Sequence, residues 1–505
     1  MAPMLPRPPI FVNTSTQACE LVTDLLIFDE DLTLMRRSRQ AREPVMPAAT
    51  PATTHNPPDA RARSRRTFLL YLCGAFGGLL SGYDMGIVAG AQLFLTRDLG
   101  LSSWMQGAFV SSLMIGAIAG CFGAGPATDR WGRRPVMLAT AVLFGAGALG
   151  MALATGPWTL IAFRVATGVG VGAASAVIPS YLSELAPTRI RGRVSTLNQM
   201  MIAIGIFVSY LTSYALSGAG AWRWMLGLAV VPAVVLFVGM WPQPETPRWL
   251  VTKGREDEAR TVLLRLHKPA EAEAALRDIH AAAQTERHSR GRVRELFATR
   301  QVRRGLGIAV AMAVIQQVIG SNTIVFYAPT ILKAAGFEDS AALLNSVGLG
   351  ILSICTTFVT GRLVDRVGRK PLLLTGLVLM VISMSTLCAV FSLGLLDQTA
   401  GKVAAVASLA VFKVAYSLSW APLLWVMLPE LFPLRVRSVG VSVGSGTNWA
   451  ANFAVSLVFP TLLAAGAGAA FALFSGVCVL AFAFTAVYIR ETAGRSLEAL
   501  ERAAS

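Results

Sequence analysis

Apolar residues run in stretches too long for a soluble core, and most of the charge sits in the connections between them. A helix needs roughly 20 mostly apolar residues to cross a bilayer. That length picks out twelve stretches, at about 68–92, 105–126, 136–154, 158–182, 195–217, 225–242, 305–328, 341–361, 371–394, 403–427, 440–462 and 468–489. Many contain glycine, as in Gly168-Val169-Gly170-Val171-Gly172. Small residues let helices approach closely in lipid, whereas a soluble helix would tolerate them poorly. The pattern predicts an all-α membrane protein with twelve transmembrane helices.

The longest connection, 243–304, carries two amphipathic patterns, near 255–260 and 271–287. They predict surface helices in a cytoplasmic linker. The linker separates a first six-helix half, 67–242, from a second, 305–490, followed by a tail, 491–505. Residues 1–66 are rich in Pro, Ala, Thr and Arg, with no sustained apolar period and no signal-peptide pattern. Disorder is expected there, and a true start of translation at Met35 or Met46 is a further expectation.

The two halves repeat. Asp129-Arg130-Trp131-Gly132-Arg133-Arg134 recurs 236 residues later as Asp365-Arg366-Val367-Gly368-Arg369-Lys370. Glu184-Leu185-Ala186-Pro187 with Arg191 recurs 246 residues later as Glu430-Leu431-Phe432-Pro433 with Arg437, and Glu245-Thr246 recurs at the same offset as Glu491-Thr492. Three features in one order mark two pseudo-symmetric halves, an arrangement that puts a transporter's substrate site near midmembrane between them.

Composition agrees: 54% of residues are apolar and 14% charged, against about 25% charged in soluble domains. The net charge of +16 lies in short loops, which argues for topology and against nucleic-acid binding. Even-numbered connections hold Arg130, Arg133, Arg134, Arg189, Arg191, Arg193, Arg362, Arg366, Arg369, Lys370, Arg435 and Arg437. Odd-numbered ones hold few basic residues, such as Arg97, Arg223, Lys333 and Lys402. Basic loops stay in the cytoplasm, so both termini are expected there. The six cysteines show no metal-ligand spacing and no disulfide framework is expected. No nucleophile–base set or metal cluster suggests an enzyme, and no cofactor is expected.

The twin basic loops, Pro244-Glu245-Thr246-Pro247-Arg248, Gln316-Gln317-Val318-Ile319-Gly320-Ser321-Asn322 and Glu491-Thr492-Ala493-Gly494-Arg495 carry a resemblance. Over about 66–500 the chain resembles the sugar porters of the major facilitator superfamily (MFS). Among these it is similar to bacterial proton-coupled xylose, arabinose and galactose symporters and to animal facilitative glucose transporters. Arg490 stands where that family's closing motif usually has Pro. The resemblance implies the MFS fold and a monomer in the plasma membrane, in bacteria the inner membrane, that moves a sugar and protons.

Three ionisable residues fall inside the predicted spans: Asp84, Arg164 and Lys413. A charge there is costly and marks a functional site by default. Burial favours a neutral Asp84 and a nearby cation a charged one. A carboxyl between those effects can load and release a proton. The resemblance implies that Asp84 couples protons and that Arg164 is its partner. Proton-coupled members carry Asp at this place and facilitative ones Asn. A permanent structural pair is the plain alternative. Lys413 is expected to snorkel toward the outer interface.

Sugar hydroxyls need groups that both donate and accept, and the ring's apolar face packs on aromatics. The spans offer Gln199, Gln316, Gln317, Asn322, Asn448 and Asn452, with Trp420 and Trp449. The resemblance implies sugar binding by Gln316, Gln317 and Asn322 in particular. Ser81 stands where relatives usually have Phe, and Phe326-Tyr327 where they have Tyr-Tyr. The altered pocket leaves hexose, pentose and polyol open. Asp129, Arg130, Arg133, Glu184, Arg191, Asp365, Arg366, Arg369, Glu430 and Arg437 match a family network expected to bridge the halves as a cytoplasmic gate.

The expected function is proton-coupled monosaccharide uptake by alternating access. The alternatives are a facilitative sugar or inositol-like polyol uniporter, which Asp84 disfavours, and a drug efflux pump, which Gln316-Gln317 disfavours. A non-transporting sugar sensor would be expected to carry a tail longer than one ending at Ser505.

Overall fold

The computed structural model describes residues 60–186, 191–266, 269–288, 293–433, 436–489 and 491. They form eighteen α-helices and short 3-10 turns, with no strand among them. The first half contains α1 (Ala60–Asp98), α2 (Ser103–Trp131), α3 (Arg133–Ala152), α4 (Pro157–Leu185), α5 (Arg191–Leu216), α6 (Trp222–Gly227) and α7 (Val230–Met240). Then come α8 (Pro247–Thr252), α9 (Glu256–Leu266) and α10 (Pro269–His288). The second half contains α11 (Arg300–Val318), α12 (Ser321–Ala334), α13 (Asp339–Val367), α14 (Arg369–Ser392), α15 (Thr399–Leu418), α16 (Trp420–Glu430), α17 (Arg437–Ala465) and α18 (Ala467–Tyr488).

Twelve helical spans among the described residues are long and apolar enough to cross a membrane, with α6–α7, α11–α12 and α15–α16 each forming one. Phe122, Leu153, Val238 and Leu480 are 62–79% exposed on the bundle. Water would not tolerate so large an apolar surface, and lipid does. The amphipathic segments after α7 fold as α9 and α10, joined by an Arg260–Glu273 ion pair at 2.6 Å.

Three details differ from the sequence expectation. Helix α1 starts at Ala60, inside the segment expected to be disordered through 66; the remaining residues of that segment lie outside the described ones. The seventh span breaks at Gly320, whose φ of +91° is left-handed and favours glycine. The tenth span breaks at Ser419, whose hydroxyl donates to the Ala415 carbonyl at 2.6 Å. Each break frees backbone carbonyls of the preceding turn; at the first, the Ser321 hydroxyl covers the Gln316 carbonyl at 2.8 Å.

Glycine sets the tightest packing. A Cβ on Gly168 or Gly172 of α4 would lie 2.1 or 2.0 Å from a carbonyl of α2, and one on Gly116 of α2 would lie 2.0 Å from the Val165 carbonyl. Backbone-to-backbone contact at that distance admits no side chain. The two halves meet where α1 packs on α12, α2 on α17 and α5 on α13. Gly107 of α2 makes the second crossing possible, since its Cβ would lie 2.0 Å from the Leu457 carbonyl. The Tyr210 hydroxyl of α5 donates to the Val325 carbonyl of α12 at 2.7 Å, a further bond between halves.

Candidate transport site

The break at Gly320 brings three amides of one motif onto one site. Gln316 Nε2 donates to the Trp420 carbonyl at 2.9 Å, a group close to the break in the tenth span. Asn448 Nδ2 of α17 donates to Gln316 Oε1 at 2.8 Å, and Gln317 Nε2 donates to Asn448 Oδ1 at 3.0 Å. Asn322 Nδ2 donates to Gln317 Oε1 at 3.0 Å. The chain therefore runs from the α15–α16 break through α11 and α17 to half-buried Asn322 in α12. Amides in such a chain can exchange one another for hydroxyls without leaving a group unpaired. Trp420 is fully buried, and its indole N–H has no hydrogen-bond partner.

In the first half, Arg164 of α4 donates through Nη1 to Asp84 Oδ1 of α1. Both side chains are essentially inaccessible, at 0% and 2% exposure. The bond is single: Asp84 Oδ2 and Arg164 Nε and Nη2 are buried without hydrogen-bond partners. A two-pronged pair would be harder to open. The guanidinium also lies 5.7 Å from the Phe109 ring of α2. It is within electrostatic reach of Tyr327 in α12, across the interface between halves.

At the basic end of the bundle the repeated motifs fold alike. Glu245 accepts the backbone N–H groups of Arg133 and Arg134, both at 3.0 Å, at the start of α3. Glu491 accepts those of Arg369 and Lys370 at 3.0 and 2.9 Å at the start of α14. A carboxylate suits a helix N-terminus because unpaired N–H groups and the helix dipole converge there. Gly132 (φ +99°) and Gly368 (φ +93°) leave room for these carboxylates. Burial pushes the Glu245 carboxyl above its usual range, while the N–H groups of Thr246, Arg134 and Arg133 and the Arg133 charge pull it back. Arg133 Nη2 pairs with Glu184 at 3.0 Å, and Arg369 Nη2 lies 3.7 Å from Glu430.

These described pairs fall within each half, whereas the sequence reading expected a network between halves. Asp129 and Arg130 are exposed at this end, Arg130 lying over the Trp131 ring. Arg437 donates to the Phe432 carbonyl at 3.3 Å. The side chains of Arg191, Asp365 and Arg366 lie outside the described residues. Glu245 and Glu491 were visible in the sequence as a repeat; their place at helix starts was not.

The opposite end is joined across the halves. Arg97 of α1 pairs with Asp339 of α13 at 2.9 Å. Lys333 Nζ lies 2.7 Å from the other oxygen of that carboxylate, off the hydrogen-bonding angle, so it acts there as a neighbouring charge. A cavity of about 510 Å³ lies at this junction, bordered by Phe94, Arg97, Lys333, Phe337 and Asp339.

Other expected site residues fall elsewhere. Gln199 is exposed on α5 and stands outside the amide chain. Asn452 accepts the Ser456 hydroxyl at 3.2 Å, and Trp449 is half-buried against the core. Ser81 turns its hydroxyl to the Gly77 carbonyl at 3.1 Å. Lys413 is fourteen residues into the span Thr399–Glu430, about 21 Å along the helix.

The family described as Sugar (and other) transporter matches residues 70–504. The D-xylose transporter of Levilactobacillus brevis is 42% identical over 441 residues, which are 87% of this chain and 96% of that one. The galactose-proton symporter of Escherichia coli strain K12 is 37% identical over 452 residues, 88% and 97% of the two chains. The inward-open conformation of the xylose transporter XylE from E. coli superposes with a TM-score of 0.76 at 28% identity, covering 86% of this chain and 99% of that one. The chain belongs to the sugar transporter family, whose members are transporters and not enzymes, and has the MFS fold in two six-helix halves.

Proposed function

We propose that the protein carries a monosaccharide, hexose or pentose, into the cell together with a proton. The observation that carries this reading is the singly bonded Asp84–Arg164 pair, buried in a chain that also holds a continuous amide chain from Gln316 to Asn322. The relatives named for D-xylose and for galactose with protons support it.

In this reading Gln316, Gln317, Asn322 and Asn448 exchange their mutual bonds for bonds to sugar hydroxyls, with Trp420 and Trp449 as apolar walls and Gln199 and Asn452 at the margin. A proton on Asp84 cancels the attraction to Arg164. The freed guanidinium then shifts against the Phe109 ring of α2, a helix that packs on α17 of the other half, which biases the halves toward the other opening. The basic end is cytoplasmic by the positive-inside rule, as are both termini. The pairs around Glu184 and Glu430, with Asp129, Arg130, Arg191, Asp365, Arg366 and Arg437, brace the two halves so that they rock as units and gate the cytoplasmic mouth. The protein works as a monomer in the plasma membrane. Residues 67–242 and 305–490 are the rocking halves, and 243–304 the linker.

Ser81 and Phe326 replace an aromatic wall and a hydroxyl, which favours a cargo other than xylose or glucose and keeps a polyol as the second reading. Uptake of a panel of labelled sugars and inositol into vesicles, with and without a proton-dissipating agent, tests both. Accumulation that collapses with the gradient is expected. Equilibration unaffected by the agent would indicate a uniporter.

A further inference from the structure

Seventeen side-chain nitrogen and oxygen atoms among the described residues are buried without a hydrogen-bond partner, and five of them lie along one seam. Buried polar atoms are nearly always paired, so such a concentration requires a reason. Gln92 of α1 is 1% exposed, and both of its amide atoms are unpartnered. Thr96 follows four residues on, one helical turn further out, with a buried, unpartnered hydroxyl. On α12, Thr323, Tyr327 and Thr330 share one face at helical spacing, and both threonine hydroxyls are unpartnered.

Helices α1 and α12 pack together, and as parts of the first and seventh of the twelve spans they run in the same direction. Gln92 lies beside the Tyr327 hydroxyl without a hydrogen bond of proper geometry to it, and that hydroxyl donates to the Ser456 carbonyl at 2.9 Å. The two polar stripes therefore meet without satisfying one another. Gln92 lies eight residues beyond Asp84, about 12 Å further from the basic end, and level with Tyr327, five residues beyond the last amide of the site, Asn322. The seam thus covers the site on the side locked by Arg97 and Asp339.

We propose that this seam is an outer sugar subsite, with Gln92 exchanging hydrogen bonds with a sugar hydroxyl once α1 and α12 part. The inference rests on the sugar-transport reading above. A purely closing seam would be better made of apolar groups, because every unpaired polar atom weakens the closed state. Groups that are unpaired when shut gain partners when a polyhydroxylated ligand passes between them. Glutamine suits this role because it both donates and accepts. The ligand class is a neutral sugar or polyol, since no charged side chain lies on either stripe.

The test uses the full-length protein in right-side-out and inside-out vesicles. External and internal KM are measured for the best-transported sugar and its mono-deoxy analogues, in wild type and in Gln92→Leu. The expected result is a rise in external KM for the parent sugar of about 3- to 10-fold, the worth of one neutral hydrogen bond. One deoxy analogue should be weakened to the same degree in wild type and not weakened further in the variant. Internal KM should stay unchanged for every analogue.

A shift of the conformational balance alone would move all analogues by one factor, and that result would overturn the subsite. So would no change on either side, as expected if the seam holds only water. Gln92→Asn, which keeps a shorter amide, should fall between and serves if the leucine variant does not assemble. If wild type moves no sugar or polyol, the transport reading fails and the subsite with it. Wild-type uptake with a uniform shift sinks the subsite alone.

Discussion

Arg97 of α1 and Asp339 of α13 form an ion pair at 2.9 Å that ties the first half of the molecule to the second. Lys333 adds a second positive charge at 2.7 Å. The pair is partly exposed, so its worth is modest, about 0–1 kcal/mol. Its position matters more, because it ties the two halves together at the end opposite the basic loops. Asp339→Asn should weaken that closure and favour opening at this end, lowering external KM by about 2- to 5-fold. High salt should mimic the variant by screening the pair. Unchanged external KM in the variant and in salt would show that the pair is not a latch.

Gln317 accepts from Asn322 and donates to Asn448, both at 3.0 Å. Gln317→Leu removes from the site one donor and one acceptor that a sugar's hydroxyls would use. Each lost bond with an unsatisfied partner costs about 1–3 kcal/mol, so sugar affinity should fall by about 10- to 100-fold. The Asp84–Arg164 pair is untouched, so the remaining transport should keep its dependence on the proton gradient. Tight sugar binding in this variant would remove the amide chain from the site.

Gly132 has φ +99° and ψ 168°, a region open essentially to glycine alone. A Cβ there would also lie 2.2 Å from Glu245 Oε2. Gly132→Ala should cost about 1–3 kcal/mol from backbone strain alone and lower the melting temperature in detergent. Gly125→Ala on α2, whose Cβ meets nothing within 4 Å, should be neutral or stabilising. Equal melting of the two variants would contradict the role given to the Gly132–Glu245 contact.

Much of this architecture is legible in the chain because lipid is a strict solvent. Apolar length marks the spans, and any charge within them stands out, which is how Asp84 and Arg164 are found before their contact is seen. The amides of the seventh span are legible as a motif, but not the order in which they join. That order depends on Gly320 ending α11 and on the depth at which Asn448 of α17 arrives. Arg97 and Asp339 carry no such signal: charges at helix ends are ordinary, and their pairing exists only once two residues 242 apart in sequence meet. Gln92 carries no signal either, since one amide in an apolar run reads as helix-to-helix glue until its partners prove absent.

We propose that Asp84 couples sugar movement to protons through its bond to Arg164. Asp84→Asn removes the titratable group and keeps an acceptor oxygen for the guanidinium. The direct measurement is labelled-sugar accumulation in vesicles with an imposed inward proton gradient, alongside exchange of internal for external sugar. The variant is expected to exchange sugar without accumulating it, at a rate that no longer varies with pH. Concentrative uptake at the wild-type level in Asp84→Asn would contradict it.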